Sequence, residues 1–428
     1  MKSVWMAIVA IVSVSACDKA AVELSATPTI AEMRALLDAG DLTSEQIVTQ
    51  LVDRAHAGAG LNAFITLDEA AALARARELD AERAAGSSRG ALHGIPLVAK
   101  DNIHVAGMPN TAGTPGLKDF VPAENNAVVE KLLGAGAIML GKTNMHELAF
   151  GITSDNAAFG SVGNPHNPSL IPGGSSGGTG AAVSAGMAPA GLGSDTGGSV
   201  RIPAALTGIA GFRPSTGRYP SHGVTPISLT RDTIGFMAHN VADIAILDSE
   251  IVGETAAAPP DTIRLGVPRG YYYAGLDAQT AAVTAALLDK LAAAGIELVE
   301  VEVPGLADLL AASSFPIALY EVNRDLSAYL AEFQTGESVG TLADRIASPD
   351  VKGVFSAILG DGAVPPEAYE AGIDAREQLR QVFTTLFAEL ELHALVFPTT
   401  PLPARPIEGS IQTVELNGQQ VPTSIETL

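Results

Sequence analysis

The sequence predicts an α/β protein, a single α/β/α domain around a mixed, mostly parallel central sheet covered by helices. Three observations point there. Short apolar runs of strand length alternate with longer runs of helical periodicity, the pattern of a sheet clothed on both faces. Apolar residues make up 47% of the 428-residue chain and charged residues 17%, enough apolar matter for a sizeable core and too much for wholesale disorder. Glycine-rich turns, Gly177-Gly178 among them, sit where one element hands over to the next.

The elements follow in order. Residues 30–38 read as an amphipathic helix stopped by Gly40. A second helix starts at Thr43, with Gln46 three residues on as its capping-box partner and Ile47, Val48, Leu51, Val52 and Ala55 on one face. Residues 63–67 read as a strand and 68–85 as an alanine-rich helix. A short buried strand covers 95–99 with Lys100 at its end. Then come a helix over 126–133, a strand over 138–140, a helix over 177–185, and a strand over 190–192 running into the loop 196–199. Further on, 263–267 is a strand, 278–294 a helix capped by Asp277, 298–303 a strand, a long helix follows Pro366, and 395–397 is a strand. No internal repeat is visible. Residues 256–260 read as a long loop within one domain.

The first 28 residues stand apart. Residues 1–16 have the form of an export signal, with Lys2 before an apolar stretch, 4–14, too short to span a bilayer comfortably. The stretch ends Val14-Ser15-Ala16-Cys17, which resembles a bacterial lipobox, and Cys17 is the only cysteine in the chain. The expectation is a lipoprotein of the bacterial cell envelope, anchored through lipid on Cys17, with 17–28 as a tether and 29–428 as the working domain. A lone cysteine also excludes an internal disulfide. The formal charge of −22 argues against nucleic acid or anionic lipid headgroups as partners. His146-Glu147 begins like a zinc-helix motif, but Phe150 stands where the second histidine belongs.

Chemistry concentrates in three segments. Pro172-Gly173-Gly174-Ser175-Ser176-Gly177-Gly178 is followed by Gly193-Ser194-Asp195-Thr196-Gly197-Gly198-Ser199-Val200-Arg201-Ile202-Pro203, and His93-Gly94-Ile95-Pro96 leads into Lys100. Ser199 is the candidate nucleophile. The bare glycines before it let successive amides of Thr196, Gly197, Gly198 and Ser199 point into one hollow, an oxyanion hole. A serine hydroxyl needs a base, and Lys100 can serve if apolar neighbours at 95–99 depress its pKa, with Ser175 relaying the proton.

These segments resemble the amidase signature family from about Ala31 to the end of the chain, including the 24-residue step between Ser175 and Ser199. The resemblance implies Lys100, a cis-Ser175 and Ser199 as a triad, and an acyl-enzyme on Ser199. It implies hydrolysis of a small carboxamide to a carboxylate and ammonia or an amine, with no metal or organic cofactor. Asp195 and Arg201 match family positions as supports of the loop, and Ser176 is expected to hydrogen-bond near Lys100. The stretch from Gly217 to Thr233, with Pro226-Ile227-Ser228-Leu229-Thr230-Arg231-Asp232, is similar to the indoleacetamide and mandelamide hydrolase branch and suggests an aryl-bearing substrate. A homodimer is compatible with the sequence. After Pro398-Thr399-Thr400-Pro401 the family's closing segment has no equivalent, so a sheet edge or pocket wall is expected to lie uncovered.

Two rivals share the motifs. Gly173-Gly174-Ser175-Ser176-Gly177 satisfies the G-x-S-x-G nucleophile elbow, which would make Ser175 the nucleophile of an α/β-hydrolase esterase with His393 as base. The other is a non-catalytic lipoprotein that binds small amides. Neither gives Lys100 and the second glycine loop a joint purpose.

Overall fold

The computed structural model describes residues 22–254 and 258–424; the expected export signal and Cys17 lie outside them. Six strands build the central sheet: β1 (Phe64–Leu67), β2 (Pro96–Lys100), β3 (Ile138–Thr143), β4 (Ala190–Asp195), β5 (Ala210–Phe212) and β6 (Thr233–Ala238). Their order is β1-β3-β2-β4-β6-β5. β2 runs parallel to β3 and β4, while β1 is antiparallel to β3 and β6 antiparallel to β4 and β5. β2, β3, β4 and β5 therefore point one way, which makes the sheet mixed and mostly parallel, as expected.

Every residue of β2, β3, β4 and β6 is buried. Helices on both faces make such strands mostly apolar or small rather than alternating, with Lys100 and Lys142 as long charged exceptions. That is why β6, Thr-Ile-Gly-Phe-Met-Ala, escaped a reading based on periodicity, as did β5 and the helices Arg201–Thr207 and Val241–Val252. Where start and stop signals were strong, the helices fall as expected. Ile30–Ala39 ends on Gly40 at φ 67°, and Ser44–Ala57 begins with the Thr43–Gln46 capping box fully formed.

A second sheet was not expected. β7 (Arg264–Val267), β8 (Glu297–Glu300) and β9 (Ala394–Leu395) pair in parallel in the order β8-β7-β9. The helix Ala278–Ala293 joins β7 to β8, so the two strands complete their own crossover unit instead of extending the large sheet. A hairpin of β10 (Thr413–Leu416) and β11 (Gln419–Pro422) follows. It covers ground that the sequence left open: Val414 is buried with Leu402, Ile171, Ile202 and Ile152 beside the glycine-rich loops.

Candidate active site

Parallel strands carry their functional groups at their carboxyl ends, and here three adjacent ends converge. β2 ends in Lys100, β3 in Thr143 and β4 in Asp195, with β2 and β4 side by side in the sheet. The site thus lies over the middle of the sheet, whose lateral edges are β1 and β5.

Lys100 has no solvent exposure. Its Nζ is 2.6 Å from Ser175 Oγ, 2.8 Å from Ser194 Oγ and 3.4 Å from the Ser194 carbonyl. Burial pushes the amine down to about 7, even though the carboxylates of Asp195 and Asp232 pull the other way. Ser175 follows a cis peptide from Gly174. A Cβ on Gly174 would stand 2.8 Å from the backbone carbon of Ile152, so only glycine lets the two chains approach this closely. The Ser175 carbonyl accepts the N–H of His146, which fixes the loop from the other side.

Ser176 ties the serine loops together. Its N–H donates to the Ser199 carbonyl at 3.1 Å, and its hydroxyl donates to the Ser194 carbonyl at 3.3 Å, the carbonyl that Lys100 also approaches. Ser194 is the site residue that sequence reasoning missed. Its hydroxyl accepts from Asn102 Nδ2 at 3.0 Å and from the lysine amine at 2.8 Å. Its place at the penultimate position of a buried strand, one residue before Asp195, was the available signal.

Asp195 shapes the loop that presents Ser199. Oδ1 accepts from Gly198 N at 2.8 Å and Arg201 Nη2 at 2.9 Å; Oδ2 accepts from Val200 N at 3.2 Å and Arg201 Nε at 3.0 Å. Arg213 approaches Oδ1 at 3.2 Å. Burial raises the Asp195 carboxyl, but the hydrogen bond and charge of Arg201, with Arg213, outweigh it and hold it below the usual carboxylate range. This geometry corrects one expectation. An N–H aimed at a carboxylate is not free for a substrate oxygen, so of the four amides expected to form an oxyanion hole that of Gly198 is already engaged. Gly198, at φ 132°, supplies the turn rather than a donor.

Thr196, Gly197 and Ser199 border a cavity of about 370 Å³. Phe150, Ile152, Ile227, Phe315, Leu319 and Ile358 give its lining apolar stretches, His146, Arg231 and Asp350 add polar ones, and Ile411 and Thr423 flank the C-terminal hairpin side. His393, the base of the elbow reading, lies on the three-stranded sheet, where its Nδ1 accepts the Arg264 N–H at 3.0 Å. Ser175 has the lysine as its partner instead, and the esterase reading falls.

Comparison with known proteins fits this geometry. The family model described as Amidase matches residues 46–421. The chain is 41% identical over 387 residues to an indoleacetamide hydrolase of Agrobacterium vitis, covering 90% of this chain and 82% of that one. It is 44% identical over 390 residues to a mandelamide hydrolase of Pseudomonas putida, covering 87% and 77%. Among solved structures, a crystal structure of an amidase superimposes with a TM-score of 0.82 at 34% identity over 92% of this chain and 86% of that one. The native peptide amidase from Stenotrophomonas maltophilia superimposes with a TM-score of 0.78 at 30% identity over 89% and 85%.

Proposed function

The chain belongs to the amidase family and is a carboxamide C–N hydrolase, and on that premise we propose that Ser199 attacks small aryl-bearing amides with Ser175 as relay and Lys100 as base. The observation that carries this reading is the buried amine of Lys100, 2.6 Å from a serine hydroxyl on the loop that also grips Ser199. A neutral Lys100 donates its two hydrogens to the Ser194 hydroxyl and carbonyl. Its lone pair is then left to accept from Ser175.

In the forward step the Ser199 proton passes to Ser175 as the Ser175 proton passes to Lys100, and Ser199 Oγ bonds the amide carbon. The amides of Thr196, Gly197 and Ser199 receive the oxyanion; one such donor contributes about 3 kcal/mol to the transition state. The proton returns along the same path to the nitrogen, the C–N bond breaks, and ammonia leaves. Water then attacks the ester, is deprotonated by the same relay, and releases the carboxylate.

The aryl preference is supported by the apolar stretches of the cavity lining and by the names of the relatives at 41% and 44% identity. The test is a panel of indoleacetamide, mandelamide, phenylacetamide and peptide amides, read by ammonia release and by fluorophosphonate labelling. Labelling of the wild type at Ser199, lost in Ser199→Ala, supports the reading. Labelling that persists in the variant defeats it.

The same proposal places the protein in the bacterial envelope on a lipid carried by Cys17, supported by the Val14-Ser15-Ala16-Cys17 sequence. Among the described residues no helix is long and apolar enough to cross a membrane. Incorporation of labelled fatty acid in producing cells, abolished by Cys17→Ser, is the check.

A further inference from the structure

Thr196 stands between the reacting loop and the apolar wall, and one carboxylate holds both. Asp232 is buried. Its Oδ1 accepts the Thr196 hydroxyl at 2.5 Å, while Oδ2 accepts the backbone N–H groups of Ile227 at 2.8 Å and Ser228 at 3.0 Å. Ile227 is part of the cavity wall. Ser228 donates to Glu321 at 2.5 Å on the helix Phe315–Glu332, whose Phe315, Ala318 and Leu319 also face the cavity. Arg231 reinforces the link by donating to the carbonyls of Ser313 and Ser314 at 3.1 and 2.9 Å. The cavity wall at Ile227 and the side chain of Thr196 are thus joined through one carboxylate, with an oxygen on each.

We propose that Asp232 is a positioning residue that couples filling of the apolar wall to alignment of the Thr196 and Gly197 amides, so that selection among acyl groups is expressed in kcat. This rests on the acyl-enzyme reading above. An acyl group packed on Ile227 presses on the backbone that Asp232 grips. The other oxygen transmits the position to Thr196, whose peptide unit leads into the Gly197 N–H. A hydrogen bond to a charged group of this length is among the strong ones, and amides set a fraction of an ångström off lose most of their effect. Burial pushes the Asp232 carboxyl up to about 6, against the hydrogen bonds from Thr196, Ser228 and Ile227 and the charge of Lys100.

The test uses the full chain and steady-state kinetics with phenylacetamide, which fills the wall, and acetamide, which does not. Thr196→Val keeps the shape and removes the hydroxyl. It should lower kcat for phenylacetamide by ~10-fold or more relative to its effect on acetamide, with KM changed less than ~3-fold. Thr196→Ser, which restores the hydroxyl, should return phenylacetamide turnover to within ~3-fold of wild type.

Asp232→Asn supplies an independent readout. Lys100 feels the charges of two carboxylates, Asp195 and Asp232, and Arg213 and Arg231 also feel the charge of Asp232. Removing one negative charge lowers the lysine pKa, so the acid limb of kcat/KM should move to lower pH in this variant and stay put in Thr196→Val. Equal kcat losses on both amides, a KM effect alone, or an unmoved acid limb overturns the coupling. If wild type turns over neither amide, the substrate reading fails and takes this inference with it. If wild type turns over both and Thr196→Val matches it, the coupling alone fails.

Discussion

In the six-stranded sheet every residue of β2, β3, β4 and β6 is buried, whereas in the three-stranded sheet only Gly266 and Val267 are. The difference shows in the basic residue near a strand end in each. Lys100, closing β2, is wholly enclosed, and its amine is driven down to about 7 by burial. Arg269, just past β7, keeps half its side chain in solvent and pairs with Glu300 at 2.9 Å. The chemical contrast follows from cover. An amine that has lost its hydration can give up its proton near neutrality, whereas the Arg269–Glu300 pair is an ordinary solvent-exposed ion pair. The outer helix Ala278–Ala293 tells the same story, with Val283 71% and Leu287 46% exposed.

The largest effect that tests the comparison is on turnover. Ser199→Ala should lower amide hydrolysis by at least ~10⁴-fold with an unchanged far-ultraviolet circular dichroism spectrum. Residual activity near a tenth of wild type would take the chemistry away from the large sheet. Next, kcat/KM of the wild type should rise with pH and level off above about 7, because the lysine must lose its proton before it can accept one. Arg269→Ala should leave both rate and profile within ~2-fold of wild type. A flat profile between pH 5.5 and 8.5, or a large loss in Arg269→Ala, breaks the contrast.

Stability offers smaller effects. Asp195→Asn leaves Arg201 and Arg213 facing an uncharged group and should cost about 3 kcal/mol in urea unfolding. The Asp195 carboxyl is held below its ordinary value in the folded state. Its contribution is therefore complete above the unfolded pKa of about 4 and is lost as the pH falls through the folded value. Leu192→Ala in β4 should cost about 3 kcal/mol and Leu298→Ala in half-exposed β8 about 1 kcal/mol. Equal losses would mean that the small sheet is as tightly packed as the large one. Smallest of all, Val283→Ala should change stability by less than ~0.5 kcal/mol.

The legible parts of the sequence were those in which short-range chemistry dictates structure. Thr43 and Asp277 announced helix starts, and each accepts a backbone N–H of the first turn. Lys100, Ser175 and Ser199 were legible because three unusual segments shared one chemical purpose, and the chain folds them together. What escaped depends on three-dimensional neighbours. Ser194 matters only because β4 lies beside β2, a pairing that no local pattern states. The engagement of the Gly198 N–H by Asp195 depends on how a carboxylate three residues back folds over the loop. The second sheet arises from Leu265 and Gly266 meeting Ala394 and Leu395 across more than a hundred residues.

Lys100 and Lys142 are both sealed inside the large sheet, whereas Lys118 and Lys352 stand in solvent. Reagents that acylate free amines will therefore mark the outer lysines within minutes and reach the inner two only when the strands part. Mass spectrometry of those two peptides over time gives a clock for opening of the sheet, read from the protein's own lysines.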